Sequence, residues 1–250
     1  MRFPVATLVA EEGLTGLLLR GLRRREIYRR FALAAGVDAR RPRASPLPIE
    51  CERLGPERID EYLAFRSDRS RGVIRRRFDA GELCFVGRCD GRLVAATWAC
   101  PGRARLEFLA CEILLPDGFY YSHDTYVMPE LRGRHVADAV GEFRRSFMHD
   151  AGYDRTVGLF EPENRVATQR GERRRNRVIG RVDCLRLGRW RRLRLRIDSG
   201  EVEKRWYRSR RRHRDQGLVT FSLPKNSPRL RGPSDTRTSA SVPESLPWSR

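Results

Sequence analysis

One stretch of this chain, Tyr126-Val127-Met128-Pro129-Glu130-Leu131-Arg132-Gly133-Arg134-His135-Val136-Ala137, brings together the residue types from which an anion site is made. It reads as a strand, a stop, a tight loop and a helix start. Pro129 cannot donate to a ladder and ends the strand. The first turn of a helix leaves its backbone N–H groups without intrahelical acceptors, and these groups together with the helix dipole attract phosphate. Gly133 lets a ligand approach the backbone with no side chain in the way, and Arg132 and Arg134 add positive charge. Just upstream, Asp124 and Tyr126 are expected on one face of the strand over 119–128, with His123 on the other. Asp124 is the expected general base and His123 the second choice. Each also has a plain structural reading, as a hydrogen-bonded carboxylate or a packed imidazole. Glu112 lies on the preceding strand candidate.

The segment resembles motif A of the GCN5-related N-acetyltransferase (GNAT) superfamily, which reads Gln/Arg-x-x-Gly-x-Gly/Ala and usually follows Val-x-Pro. Val127-Met128-Pro129 stands in place of that lead-in. Arg132 fills the first position, Ala137 the last, and Gly133 the glycine commonly found after the arginine. The family's central glycine is His135 here, so the main-chain N–H survives and the imidazole has to turn away from the ligand. Further on, Glu161-Pro162-Glu163-Asn164-Arg165-Val166-Ala167 resembles motif B, in which an asparagine opens the next helix; Asn164 reads equally as a simple N-cap. The tyrosine that often follows that asparagine is Gly171 here, and the usual Gly-Phe ending is replaced by Asn176-Arg177.

The resemblance implies an acyl-CoA co-substrate, acetyl-CoA first of all, held by Val127, Arg132, Gly133, Arg134, His135, Val136, Ala137 and Asn164. It implies direct attack by a small-molecule amine on the thioester, through a splayed gap between strands 119–128 and 155–160. A main-chain N–H polarises the carbonyl, Asp124 takes the ammonium proton and Tyr126 donates to the departing thiolate. The implied fold is α/β of the α+β kind. Its central mixed, mostly antiparallel sheet has six to seven strands, with helices on both faces and a parallel splayed strand pair. Two other readings remain open: a catalytically inactive acyl-CoA-binding relative, and a basic nucleic-acid-binding protein.

The elements around the motif follow from pattern. Residues 13–35 read as a basic amphipathic helix, suited to packing or to peripheral contact with an anionic membrane. Three prolines between Arg40 and Pro48 read as a linker. Strands are expected over 48–54, 83–88, 92–100, 105–114, 119–128, 156–160, 177–187 and 193–197. Asp90-Gly91 between two apolar runs signals a hairpin. Two short helices are expected over 57–78, broken near Ser67 to Ser70. A longer one over 133–150 has Val136, Ala139, Val140, Phe143 and Phe147 on one face, and another helix is expected after Asn164. The domains drawn from this are 1–46, a basic helix and Pro-rich linker; 47–197, the acyltransferase domain; and 198–250, a basic, disordered tail.

Charge bears on the nucleic-acid reading. The chain carries +20 formally, yet residues 44–165 hold 18 basic and 20 acidic side chains. The excess sits at the ends, with 10 basic against 4 acidic residues in 1–43 and 24 against 8 in 166–250. A near-neutral core speaks against nucleic acid as its partner. Only Lys204 and Lys225 are lysines among the 52 basic residues. The six cysteines form no CxxC pair and no Cys/His spacing suits a metal, so no metal is expected and reduced thiols point to a cytoplasmic protein. The stretch from Val5 to Leu19, interrupted by Glu11 and Glu12, is too short and too charged to span a bilayer.

Overall fold

In a computed structural model of the chain, the described residues are 27–37, 44–106, 109, 111–162, 164, 176–188, 190–197, 202–208 and 219–223. In chain order the elements are β1 (Tyr28–Val37), β2 (Glu50–Leu54), α1 (Ile59–Phe65), α2 (Arg71–Asp79), β3 (Leu83–Cys89), β4 (Arg92–Pro101), β5 (Arg103–Leu106), β6 (Cys111–Leu114), β7 (Phe119–Val127), α3 (Val136–Asp150), β8 (Arg155–Phe160), β9 (Arg177–Leu187), β10 (Trp190–Ile197), β11 (Val202–Arg208) and β12 (Val219–Ser222). The chain divides into two units, one of Ala35–Ala104, Leu115–Gly158 and Leu223–Arg250, the other of Met1–Ala34, Arg105–Leu114 and Leu159–Ser222.

The first of these units carries the motif. Asp90 and Gly91 both take positive φ, 51° and 73°, as a two-residue hairpin turn requires. They fold β3 onto β4 in antiparallel register. The strand order is β2-β3-β4-β7-β8. All neighbours are antiparallel except β7 and β8, which run parallel. Residues 93–100 of β4 are buried without alternation, because helices cover both faces. On one face Ile59 and Tyr62 of α1 and Ile74 of α2 pack on Leu54, Cys84, Val86, Leu93, Ala96 and Trp98. The Trp98 indole N–H donates to the Tyr62 hydroxyl at 2.9 Å, so neither buried polar atom is left unmet. On the other face Val136, Val140 and Met148 of α3 pack on Phe85, Val94, Ala95, Ala99 and Tyr120. Helix and sheet approach closely at Gly87, where an added Cβ would lie 2.6 Å from a Val140 methyl.

In the second unit β9, β10 and β11 form an antiparallel run. β6 and β12 pair in parallel.

The α+β class, the mostly antiparallel sheet, the helices on both faces and the parallel pair match the sequence expectation. Three local expectations do not hold. The helix over 13–35 gives way at Tyr28 to β1. There Phe31, Ala32, Leu33 and Ala34 are buried consecutively, which suits a strand packed on both sides. The arginines that resembled a solvated helix face are instead paired, Arg29 with Glu161 and Arg30 with Asp183. Residues 13–26 lie outside the described residues. The tail drawn over 198–250 contains β11 and β12. An open strand edge offers main-chain partners to almost any sequence, so β11 pairs along β10 from Arg196–Val202 to Trp190–Arg208 despite its charge. Helix α3 begins at Val136, and a 3-10 turn over Pro129–Leu131 occupies part of the approach.

Candidate active site

Strand β7 leads directly into the loop. The Met128 N–H still bonds the Val94 carbonyl at 3.0 Å, and Pro129 then opens the 3-10 turn. Arg132 folds back, its Nε donating to the Val127 carbonyl at 3.2 Å. Gly133 has φ +80°, and an added Cβ there would meet nothing within 4 Å. His135 is the N-cap of α3, with φ 58° and ψ 14°. That left-handed conformation is what a glycine takes without cost and a histidine takes with strain. Its imidazole is turned to Asp138, Nδ1 lying 3.0 Å from Oδ2. The loop is braced by Ser45, whose hydroxyl donates to the Arg134 carbonyl at 2.9 Å. Gly133, Arg134, His135, Val136 and Ala137 thus form a turn onto the N-terminus of a 15-residue helix.

Alongside the loop, the parallel ladder of β7 and β8 comprises the pairs Phe119–Arg155, Tyr120–Thr156 and Tyr121–Val157 and ends there, although β7 continues to Val127. On its other side β7 carries a bulge. Ala96 is opposite Tyr126 and Trp98 opposite His123, so β7 spends one residue more than β4 between these pairs. The extra turn is taken at Asp124, whose φ is 47°. Aspartate tolerates this region better than most residues.

The bulge corrects one expectation. Asp124 and Tyr126 do face the same side, but His123 joins them instead of pointing away. Asp124 reaches Arg69 at 2.8 Å, Arg77 at 2.7 Å and Arg66 at 3.5 Å. Tyr126 packs edge-on to Phe65, with the Arg66 guanidinium 4.2 Å from its ring centre. His123 stacks on Tyr121, and its Nε2 stands 3.1 Å from Glu82 Oε2.

The surroundings of Asp124 also revise its chemistry. Its side chain is 13% exposed, and burial alone would raise its proton affinity. The guanidiniums of Arg77, Arg69 and Arg66 outweigh burial and hold the carboxyl below the usual carboxylate range. Such a group is a counter-ion and a poor proton acceptor. His123 and Glu82 differ from it. Their side chains are 14% and 5% exposed, and their facing atoms are close without being aligned for a hydrogen bond.

The opposite face of β7 has its own polar centre. Arg144 of α3 donates through Nη1 to Thr97 Oγ1 at 2.8 Å and to Ser122 Oγ at 2.6 Å. Thr97 in turn shares a 2.8 Å hydrogen bond with Thr125. Sequence reasoning missed Arg66, Arg69, Arg77, Glu82 and Arg144, because charged residues read as solvent-facing by default, whether on helices, as Arg77 and Arg144 are, or in turns and loops, as Arg66, Arg69 and Glu82 are. The one signal for Arg144 was its spacing, four residues after Val140 on the apolar stripe. Asn164 donates its N–H to the Glu161 carbonyl at 2.9 Å. The helix expected after it lies outside the described residues. Among the described residues no helix is long and apolar enough to cross a membrane, and no group of three metal-ligating side chains occurs.

No family model matches the chain, and no curated protein matches it. Among solved structures, an aminoglycoside acetyltransferase from an uncultured soil metagenomic sample, in complex with sisomicin, is 9% identical. That match covers 50% of this chain and 86% of the other, at a TM-score of 0.38. The aminoglycoside N-acetyltransferase AAC(6')-Iy in complex with CoA is 14% identical, covering 54% and 90% at 0.40. A GNAT-family protein from Novosphingobium aromaticivorans is 17% identical, covering 63% and 65% at 0.42. At these identities and scores the likenesses say nothing of what this chain acts on. Several GNAT acetyltransferases are thus among the solved structures to which the chain is similar.

Proposed function

We propose that this chain is an acyl-CoA-dependent N-acyltransferase that acylates a small-molecule amine, acetyl-CoA being the first donor to test. The observation that carries the reading is the left-handed backbone at His135. It stands where the motif has its glycine, and it turns the chain onto the start of α3 beside the strand whose parallel ladder stops short. The N–H groups of the first helical turn, with Arg132 and Arg134 beside them, suit a pyrophosphate. The open space at Gly133 suits its close approach. Val127 and Asn164 complete the proposed contacts, with the Val127 carbonyl already held by Arg132.

The bound thioester would supply an activated acyl carbon. The acceptor amine attacks that carbon, a C–N bond forms and the C–S bond breaks. The thiolate takes up one proton and the ammonium loses one. For the proton acceptor the geometry favours His123, backed by Glu82, over Asp124. Asp124 is held in its ionised form by three guanidiniums, which makes it the poorer proton acceptor of the two. Tyr126, on the same face, is the proposed donor to the thiolate. The six cysteines are free thiols, in keeping with a reducing compartment such as the cytoplasm.

The test is calorimetric titration of acetyl-CoA into the full chain and into Gly133→Asp and Gly133→Asn. Both variants place a side chain of similar size at φ +80°, and only the first adds a negative charge. Binding that survives in Gly133→Asn and weakens at least tenfold in Gly133→Asp supports the site. A folded parent that does not bind, or a Gly133→Asp that binds like the parent, sinks it. Binding with no turnover on any amine would point to a non-catalytic relative.

A further inference from the structure

Between residues 177 and 197 the hairpin of β9 and β10 carries eight arginines and one carboxylate, Asp183. Strand alternation sorts them. In β10 Leu193, Leu195 and Ile197 are buried, while Arg192, Arg194 and Arg196 are partly exposed. The cross-strand pairs set Leu187 opposite Trp190, Leu185 opposite Arg192, Asp183 opposite Arg194 and Arg181 opposite Arg196. The outward face of the hairpin is thus apolar at its tip and cationic over about 13 Å behind it. Leu187 and Trp190 are 52% and 53% exposed, two of the four exposed large hydrophobic side chains among the described residues. The cations behind them are short of counter-ions. Asp183 is already shared by Arg30 at 2.8 Å and Arg181 at 3.5 Å, and it accepts from the Tyr28 hydroxyl. Arg194 and Arg196 form no ion pair among the described residues. Arg196 stands directly opposite Arg181, and like charges so placed repel.

We propose that this face of the β9–β10 hairpin docks on an anionic phospholipid surface. Tryptophan settles at the level of the headgroups, its ring against the acyl chains. Arginine stems lie along apolar surface while their guanidiniums reach phosphate, and anionic lipid supplies the counter-charge that one aspartate does not. The apolar tip favours lipid over a nucleic-acid strand. Successive bases stack on a series of aromatic rings, and the outward positions of β9 and β10 offer one ring beside two leucines. This role is independent of the acyl-CoA reading.

The test is co-sedimentation of the full chain, at physiological salt, with vesicles of phosphatidylcholine alone and of phosphatidylcholine carrying about one third phosphatidylglycerol. Arg194→Gln/Arg196→Gln and Trp190→Ser alter the face. Arg211→Gln/Arg212→Gln removes the same charge from a basic run further along the chain. The parent is expected to bind the anionic vesicles at least tenfold more tightly than the neutral ones. The two face variants should lose about tenfold, and the variant at Arg211 and Arg212 about twofold or less. Bound parent should also show tryptophan quenching by brominated phosphatidylcholine, which Trp190→Phe largely loses. A parent that does not bind anionic vesicles overturns the proposal whether or not the variants fold. So do face variants that bind like the parent, or an equal loss on changing Arg211 and Arg212, which would assign binding to net charge alone. A single-stranded oligonucleotide held through Arg194 and Arg196, with no binding to vesicles, would overturn it in favour of nucleic acid.

Discussion

Replacing His135 with glycine and, separately, with alanine tests the loop at its strained residue. Both changes remove the imidazole and its contact with Asp138, so that loss cancels in the comparison. Alanine keeps the burden of a left-handed conformation, roughly 1–2 kcal/mol for a residue with a Cβ. Glycine sheds it, but gives back about 0.4–1 kcal/mol through the greater freedom of its unfolded chain. The Gly variant should therefore be the more stable of the two by about 0.5–1 kcal/mol. That reverses the order within a helix, where alanine leads by about 1 kcal/mol. For a chain of this size the difference corresponds to about 1–4 °C in Tm. Differential scanning fluorimetry on the pair reads it directly. An alanine variant as stable as the glycine variant, or more so, would refute the left-handed assignment at His135 and with it the geometry proposed for the anion loop.

Asp124→Asn should destabilise the fold at pH 7 by about 3 kcal/mol, since it leaves buried guanidiniums without their carboxylate. Because the Asp124 carboxyl is held below its ordinary range in the folded state, its contribution is present above about pH 4 and fades as the pH falls through the lowered value. Urea unfolding at pH 7 and pH 3 should accordingly show the gap between parent and variant narrowing in acid; a gap that widens would contradict the ion cluster. Gly87→Ala should cost about 1–3 kcal/mol by overpacking against Val140 and Ile49, with added-Cβ distances of 2.6 and 3.0 Å to their methyls. Adding Val140→Ala should recover part of the loss, and a double variant no better than Gly87→Ala would speak against that contact.

The parts of this fold that could be read from sequence are those in which local chemistry decides. Asp90-Gly91 announces its turn, Pro129 ends a strand, and the stripe of Val136, Val140 and Phe147 places α3 on the sheet. What could not be read depends on partners remote in sequence. Arg30 resembles a solvated helix residue until Asp183 is placed beside it. β11 has little pattern of its own and is fixed by the edge of β10. At the site, the loop was legible because a glycine, a proline and a helix start each leave a mark. The facing of His123 was not, because the bulge at Asp124 has no glycine or proline to signal it, and a simple alternation of faces puts His123 on the wrong side. The trio of arginines around Asp124 comes from α2 and the turn before it, and no spacing rule connects those positions.

The bulge has one more consequence, for how this strand tolerates changes of length. Tyr121 and His123 face the helices α1 and α2 before it, and Tyr126 faces them after it, as if Asp124 were not counted. Asp124 is thus an addition to β7 and not a step along it. Deleting that single residue would turn no neighbour over. It would leave the loop after Pro129 where it is and remove only the carboxylate that gathers Arg66, Arg69 and Arg77. The charge cluster and the anion loop are consequently separable in heredity, since one codon can be gained or lost without renumbering the inward and outward faces of the strand that joins them.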